Sequence, residues 1–233
     1  GSALTFNKLM TGRKVLNDAL APMDGRTALL NTQDNVDLVD ALKGLFQDSA
    51  AVKEQYREGA MGRTAGFDFY ENTLLASQTT GTDASNCTIN GASQTGASIT
   101  ITNGSSKTFK QGDIVTFAGC NRVHPETKAD TGVLQQFVVT ADISAGGTTM
   151  AISPSIVTSG GKQNVAASPT NGGTITKVGS ASGVYKPSIL FHKDAFTFAT
   201  ADLQMPEGVD FAARQVMDGI SCRVVRQYAI STD

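Results

Sequence analysis

The chain has 233 residues, 40% hydrophobic and 17% charged, enough apolar material for a core and too little charge for a disordered segment. With 19 Lys and Arg against 21 Asp and Glu, the net charge is -2, so there is no basic field to hold phosphates and nucleic-acid binding by electrostatics is disfavoured. No apolar run approaches the length of a membrane span, and no basic head precedes an apolar stretch as in a signal peptide.

From Ala3 to about Leu75 the chain is charged and helical in pattern. Phe6, Leu9, Arg13, Leu16 and Leu20 recur at helical spacing, and Pro22 and Gly25 stop the run. Thr27 to Asn31 is short and apolar, as a buried strand is. Val36, Val39, Leu42 and Phe46 mark a second helix, with Asp34 or Asn35 as its expected N-cap. A third is expected from Asp48-Ser49 to Gly59. This is an α/β arrangement.

From Ser77 to about Gly183 charges thin out and Thr, Ser, Gly and Asn take over. Apolar residues alternate with polar ones at Ile99 and Ile101 and again at Met150 and Ile152. Phe109 to Val139 reads as a β-hairpin: a Lys110-Gln111-Gly112-Asp113 turn, a strand Ile114–Phe117, a break at Ala118-Gly119, a loop with Pro125 and a strand Leu134–Val139. Asn90-Gly91, Asn103-Gly104, Gly146-Gly147, Gly160-Gly161 and Asn171-Gly172-Gly173 supply turn formers. About six short strands with almost no helix read as a small barrel or sandwich.

After Tyr185-Lys186-Pro187 the first style returns. Ile189 and Phe191, then Phe196 and Phe198, alternate as half-buried strands do. Pro206-Glu207-Gly208 is a turn, and Ile220 to Tyr228 reads as a strand with one apolar face. An all-β domain inserted between two halves of one α/β domain explains both composition shifts.

A search for chemistry finds no constellation. His124 has Glu126 and Asp130 nearby, but no nucleophile elbow exists, and a loop-packing histidine is the better reading; His192 falls at a strand end. Gly160-Gly161-Lys162 fails as a phosphate loop, because Ile156 stands where a glycine is needed and Gln163 where Ser or Thr is needed. Asp113, Asp130 and Asp142 lack the spacing of a calcium loop. Glu54, Glu58 and Glu71 could be proposed as acid/base carboxylates, but Glu54 and Glu58 lie four apart beside Lys53 and Arg57, a solvated helix face. Cys87, Cys120 and Cys222 form no CxxC pair and read as reduced thiols in a reducing compartment. The Asn86-Cys87-Thr88 and Asn103-Gly104-Ser105 glycosylation patterns are chance matches without secretion. No catalytic, cofactor-binding or metal-binding residue is assigned, and the chain is expected not to be an enzyme.

Three stretches in fixed order carry a family resemblance. They are Tyr56-Arg57-Glu58-Gly59 with Arg63 to Asp68; Phe109 to Val139; and Phe191 to Phe196 with Asp218 to Tyr228. The chain resembles the major coat proteins of P22-like tailed bacteriophages, which use the Hong Kong 97-type capsid fold with an inserted domain. The resemblance implies an α+β chain. Residues 3–76 and 186–233 would form parts of the capsid core, and residues 77–185 an inserted β-barrel of about six strands on the capsid exterior that aids folding and shell stability. It implies a virion protein made in the bacterial host cytoplasm. Its partners would be copies of itself in capsomers, and scaffolding protein and portal in the full-length context, with no sequence-specific nucleic acid and no membrane. It also implies a fragment, because the family's N-terminal arm, extended loop and spine helix would precede Ala3 and further chain would follow Tyr228. The charged early hairpin loop of the best-known member corresponds here to the short, uncharged Asn90 to Ala97, so no inter-subunit salt bridge is carried over. Two other classes are weighed: a hydrolase acting on phage or cell-wall polymer, which would need a paired carboxylate or nucleophile site, and an exposed binding module, an adhesin or carbohydrate binder. The module has only Phe109, Phe117 and Phe137 to offer a sugar in the middle segment, and these suit a core better.

Overall fold

In the computed structural model residues 3–42, 62–82, 85–201 and 204–228 are described. The chain divides into two compact units, 1–192 and 193–233, which are taken separately.

The first unit opens with helix α1, Phe6–Asp18, capped by the Thr5 hydroxyl, which accepts from Lys8 N. The helix stops earlier than Leu20, at a Schellman turn. Leu20 takes a left-handed φ of 59°, its N–H donates to Asn17 O, and Ala21 N–H donates to Leu16 O. Arg26 then covers this helix end. Its guanidinium donates to Pro22 O (2.7 Å), Ala21 O (2.7 Å) and Asn17 Oδ1 (2.8 Å) while 2% exposed. A cation suits the negative end of a helix, and a buried one needs its N–H groups partnered.

Arg26 begins strand β1, Arg26–Leu30, whose burial alternates so that Ala28 and Leu30 face the core. Helix α2, Thr32–Leu42, starts two residues before the expected cap. Asn31 is the cap instead, because its Oδ1 accepts from Asp34 N at 2.9 Å. The core face shifts accordingly: Leu38 and Leu42 are buried and Val39 packs beside them, whereas Val36 faces solvent. Phe46, the last marked position of the expected second helix, and the expected third helix with Glu54 and Glu58 lie outside the described residues.

Strands β2, Arg63–Thr64, and β3, Phe67–Glu71, follow as a hairpin, and β4, Gln78–Thr79, leads away. The barrel comes next: β5 Thr88–Ile89, β6 Gly96–Thr102, β7 Ile114–Val123, β8 Asp130–Val139, β9 Thr149–Ile156 and β10 Ile175–Lys177. They pair in the order β10-β7-β8-β9-β6-β5. Ile89 N–Gly173 O (2.9 Å), Gly172 N–Ile89 O (2.9 Å) and Ile175 N–Cys87 O (3.0 Å) close the ring between β5 and the β10 segment. This near-closure covers most of the two edges that an open sheet would leave. Alternate residues fill the interior, including Ile99, Ile101, Val115, Phe117, Phe137, Val139, Met150 and Ile152, with Phe117 and Phe137 stacked at 5.1 Å. Each such side chain contributes about 1.5–3 kcal/mol on burial.

The hairpin read from the sequence is present but longer. β7 does not end at Ala118-Gly119. It passes through a bulge, where the register with β8 shifts between Thr116 and Asn121 and Gly119 takes φ +79°, and continues to Val123.

Strand β11, Val184–Tyr185, returns from the barrel and pairs with β4. Strand β12, Ile189–His192, then lies antiparallel to β1, whose other neighbour, β3, runs parallel to it. The core sheet therefore has the order β12-β1-β3-β2, drawing on chain from both sides of the barrel. Leu9, Ala28, Leu30, Leu38, Leu42 and Phe67 form its core.

Among its described residues the second unit holds a 3-10 turn, Lys193–Ala195, and a hairpin, β13 Phe211–Met217 with β14 Ile220–Arg226. Asp218 and Gly219, both at positive φ, make the two-residue turn. Phe196 and Phe198, expected in a strand, belong to none and are exposed. β14 matches the expected last strand as far as Arg226, but Val224 and Val225 face solvent, as do Phe211, Val216 and Met217 of β13.

Candidate functional site at the barrel junction

Three polar devices fasten the barrel and the core sheet together in the first unit. The first is a neck. β4 and β11 pair Gln78 with Tyr185 and Thr79 with Val184, and Thr80 extends the contact through its N–H to Gly183 O (2.9 Å) and its hydroxyl to Ser180 O (2.7 Å). Just beyond the neck, Gly81 is gripped from two sides. Its N–H donates to Asp113 Oδ2 at 3.0 Å, and its carbonyl accepts from the Lys177 ammonium, which also reaches Thr82 O at 2.9 Å. A Cβ at Gly81 would collide with Thr108 O and sit 2.8 Å from Phe109 Cα, so only glycine fits this approach of two backbones.

Asp113 is the centre of this grip and is 0% exposed. The same Oδ2 accepts from Lys110 N at 2.9 Å, so one buried carboxylate closes the 110–113 turn and holds the chain entering the barrel. The other oxygen, Oδ1, is buried without a hydrogen-bond partner. Outside the same turn, Lys110 pairs with Asp142 at 2.7 Å and Gln111 N donates to Asp142 Oδ1 at 2.8 Å. The Lys110 hydrogen bond, with that of Gln111, holds the Asp142 carboxyl below the usual carboxylate range, and Asp142 raises Lys110 in return.

The second device is an ion pair between Arg122 of β7 and Asp18 at the end of α1, 2.9 Å apart with side chains 24% and 34% exposed. A carboxylate at a helix C-terminus opposes the helix dipole; Arg122 and Lys14, 3.4 Å away, offset that. The third is a clasp at the start of α2. Asn31 Nδ2 donates to Asp34 Oδ2 (2.7 Å) and Lys186 O (2.8 Å), and the Ser188 hydroxyl donates to the same Asp34 oxygen. Ser188 Oγ also accepts from Asn31 N at 3.1 Å. The chain leading to β12 is thus tied to the end of β1 by side chains that were unremarkable in sequence.

The groups considered for catalysis do not come together. His124 Nδ1 accepts from the backbone N–H groups of Glu126 (3.3 Å) and Thr127 (3.2 Å), which makes it the cap of the β7–β8 turn. Asp130 accepts from Gly132 N and Asn121 Nδ2, and these bonds lower its pKa. His192 lies in β12 opposite Arg26, Lys162 on the surface loop after β9, and Glu71 at the end of β3 with Asn35 bonded to it at 2.6 Å. Cys87 and Cys120 are buried in the barrel, with burial pushing the Cys120 thiol up to about 11, and Cys222 is exposed on β14. Among the described residues no cluster of His, Cys, Asp and Glu could hold a metal ion, and no helix is long and apolar enough to cross a membrane.

Sequence reading located the Lys110 to Asp113 turn but not its function as an anchor, because the group that explains Asp113 is a backbone N–H at position 81. The one available signal was an aspartate placed directly before the apolar run Ile114 to Phe117.

An α+β chain in which a nearly closed six-stranded barrel lies between the strands of a second sheet, tied to it by polar clasps, is the class the fold defines. The family model described as P22 coat protein, gene protein 5, matches residues 95–233, more than half of the chain, and the chain belongs to that family. The family places it among structural proteins of the phage capsid. Among solved structures it is similar to one titled CUS-3 coat protein I-domain, at 28% identity over 46% of this chain and 98% of that one, with a TM-score of 0.28. No curated protein matches the chain.

Proposed function

We propose that this chain is a shell-forming subunit of a tailed-phage or prophage capsid, acting through assembly with copies of itself and not through catalysis. Residues 77–185 are the inserted domain, 3–76 and 186–233 belong to the capsid core, and the barrel stabilises the subunit from outside the shell. What carries the reading is the membership in the coat-protein family together with a core sheet assembled from chain on both sides of the barrel. Scaffolding protein and portal are the further partners in the full-length context. The subunit makes no sequence-specific contact with nucleic acid and none with membrane, is made in the host cytoplasm and resides in the virion.

The binding-module alternative loses its ligand-stacking groups, since Phe109, Phe117 and Phe137 are all wholly buried. Electron microscopy of the full-length parent co-expressed with its neighbouring phage genes tests the proposal. Regular icosahedral shells are the expected result; soluble unassembled protein with every partner present would overturn it.

A further inference from the structure

β8 is an incomplete member of its sheet. It pairs with β9 only at Val138↔Ser153 and Val139↔Ile152, extended by Thr140 N to Ala151 O at 3.0 Å. Pro154 follows Ser153 in β9, and beyond it the Ser155 carbonyl is taken by the Asn164 side chain at 2.7 Å. The β9 backbone past Ser153 therefore turns to its own loop and to β6, where Ile156 pairs with Gly96, and no described strand pairs with Val133–Gln136 on the side away from β7.

The open side has a defined polar group. Val139 N donates to Asp113 O across β7, which makes Ile114↔Val138 a pair without direct bonds and turns Val138 toward β9. Gln136 lies two residues away, opposite Thr116, so its N–H and C=O face the same open side. Its carbonyl is filled by the Gln135 side-chain amide at 2.9 Å, a local substitute for the missing strand. Val133 is 52% exposed and Leu134 39%. Consecutive strand residues point to opposite faces, so neither face of this arm is packed.

We propose that Val133–Gln136 is a strand-pairing edge that docks the same segment of a second copy, antiparallel about a two-fold axis. The choice of a second copy follows from charge. In a two-fold pair each strand meets its own reverse, so any charge in the segment would face its like or lie beside it. Val133, Leu134, Gln135 and Gln136 carry none, and the apolar side chains of one strand meet those of the other across the axis. Exposed edges are ordinarily blunted by Lys or Pro, and this segment contains neither. Pairing replaces the Gln135 amide with a backbone donor and covers both apolar residues. The inference draws on the shell-subunit reading only for the crowding of copies that assembly creates.

The test is sedimentation velocity of the 233-residue chain over a wide concentration range, with Val133→Lys at the edge and Val178→Lys as an exposed position elsewhere. A dimer weakened at least about tenfold by Val133→Lys and unchanged by Val178→Lys is expected, with both variants folded by circular dichroism. Hydrogen exchange gives a readout that needs no variant: the Gln136 amide is expected to slow as dimer forms. A chain monomeric throughout, a dimer indifferent to Val133→Lys, or Gln136 exchange independent of concentration would each overturn the proposal. Regular shells from the parent with a monomeric chain would sink the edge and leave the capsid reading standing; a Val133-dependent dimer with no shells would do the reverse.

Discussion

The barrel and the β13–β14 hairpin are both antiparallel β-structure, with similar residues and tight glycine turns, yet they treat apolar side chains in opposite ways. In the barrel, alternation sends Val115, Phe117, Phe137 and Val139 into one closed interior. In the hairpin, Phe211, Met217, Ile220 and Val224 lie on a single face and remain open to solvent. Strand propensity alone is therefore a poor guide to stability. What separates the two is closure: a ring of strands supplies its own cover, and an isolated two-stranded ribbon is marginal in water.

Thiol labelling should give the widest contrast. Under native conditions Cys222 is expected to react with an aromatic disulfide reagent orders of magnitude faster than Cys87 and Cys120, which wait for the barrel to open. Raising the pH toward 9 should leave Cys120 slow, since burial pushes its thiol up to about 11. Three thiols reacting together would break the comparison. Next in size is core truncation. Phe137→Ala is expected to cost about 3–5 kcal/mol in chemical denaturation of the barrel, and Val224→Ala on the hairpin less than about 0.5 kcal/mol. Gly81→Ala should follow at about 1–3 kcal/mol, because the backbones of residues 108 and 109 must move away from the new methyl group. Arg122→Ala, which leaves Asp18 facing the helix dipole without its main partner, should lower stability by roughly 0.5–1 kcal/mol, less in high salt.

The smallest effect is a pH dependence. The folded-state pKa of Asp142 is depressed, so its contribution is present at neutral pH and lost as pH falls through that lowered value. Lys110 is raised, so its contribution is present at neutral pH and lost as pH rises through the raised value. Asp142→Asn should therefore flatten the acid limb of the barrel's stability profile and slightly flatten the alkaline one, read by urea denaturation at a series of pH values.

Much of this architecture was legible where neighbours in sequence determine it. Alternation at Ile99 and Ile101 and at Met150 and Ile152 gave strands of the barrel, and the spacing of Phe6, Leu9 and Leu16 gave α1. The α2 cap was misplaced because Asp34 and Asn31 are both good capping residues, and their order was decided by the bond from Asp34 N to Asn31. Gly119 read as an end because a bulge and a break use the same residue; what carries β7 onward is partnering from distant chain, Ala166 N to Asn121 O on one side and Leu134 on the other. Phe196 and Phe198 alternate correctly, yet the structure places them in no strand. The junction was least visible. Asp113 with Gly81, Arg122 with Asp18, and Asn31 with Ser188 each join residues far apart in sequence.

The position of β1 between β3 and β12 also sets how much chain must be closed into a loop. On a chain emerging from synthesis, β1 and β3 exist long before β12, and the whole barrel lies between them. Were that intervening chain loose, bringing β12 back to β1 would require closing a very long loop. A barrel that has already formed, with β4 and β11 side by side, delivers the start of β12 next to its destination and lowers the closure entropy by on the order of 2 kcal/mol, a few doublings of loop length. Where the barrel forms first, the last strand of the core sheet then has only a short loop left to close.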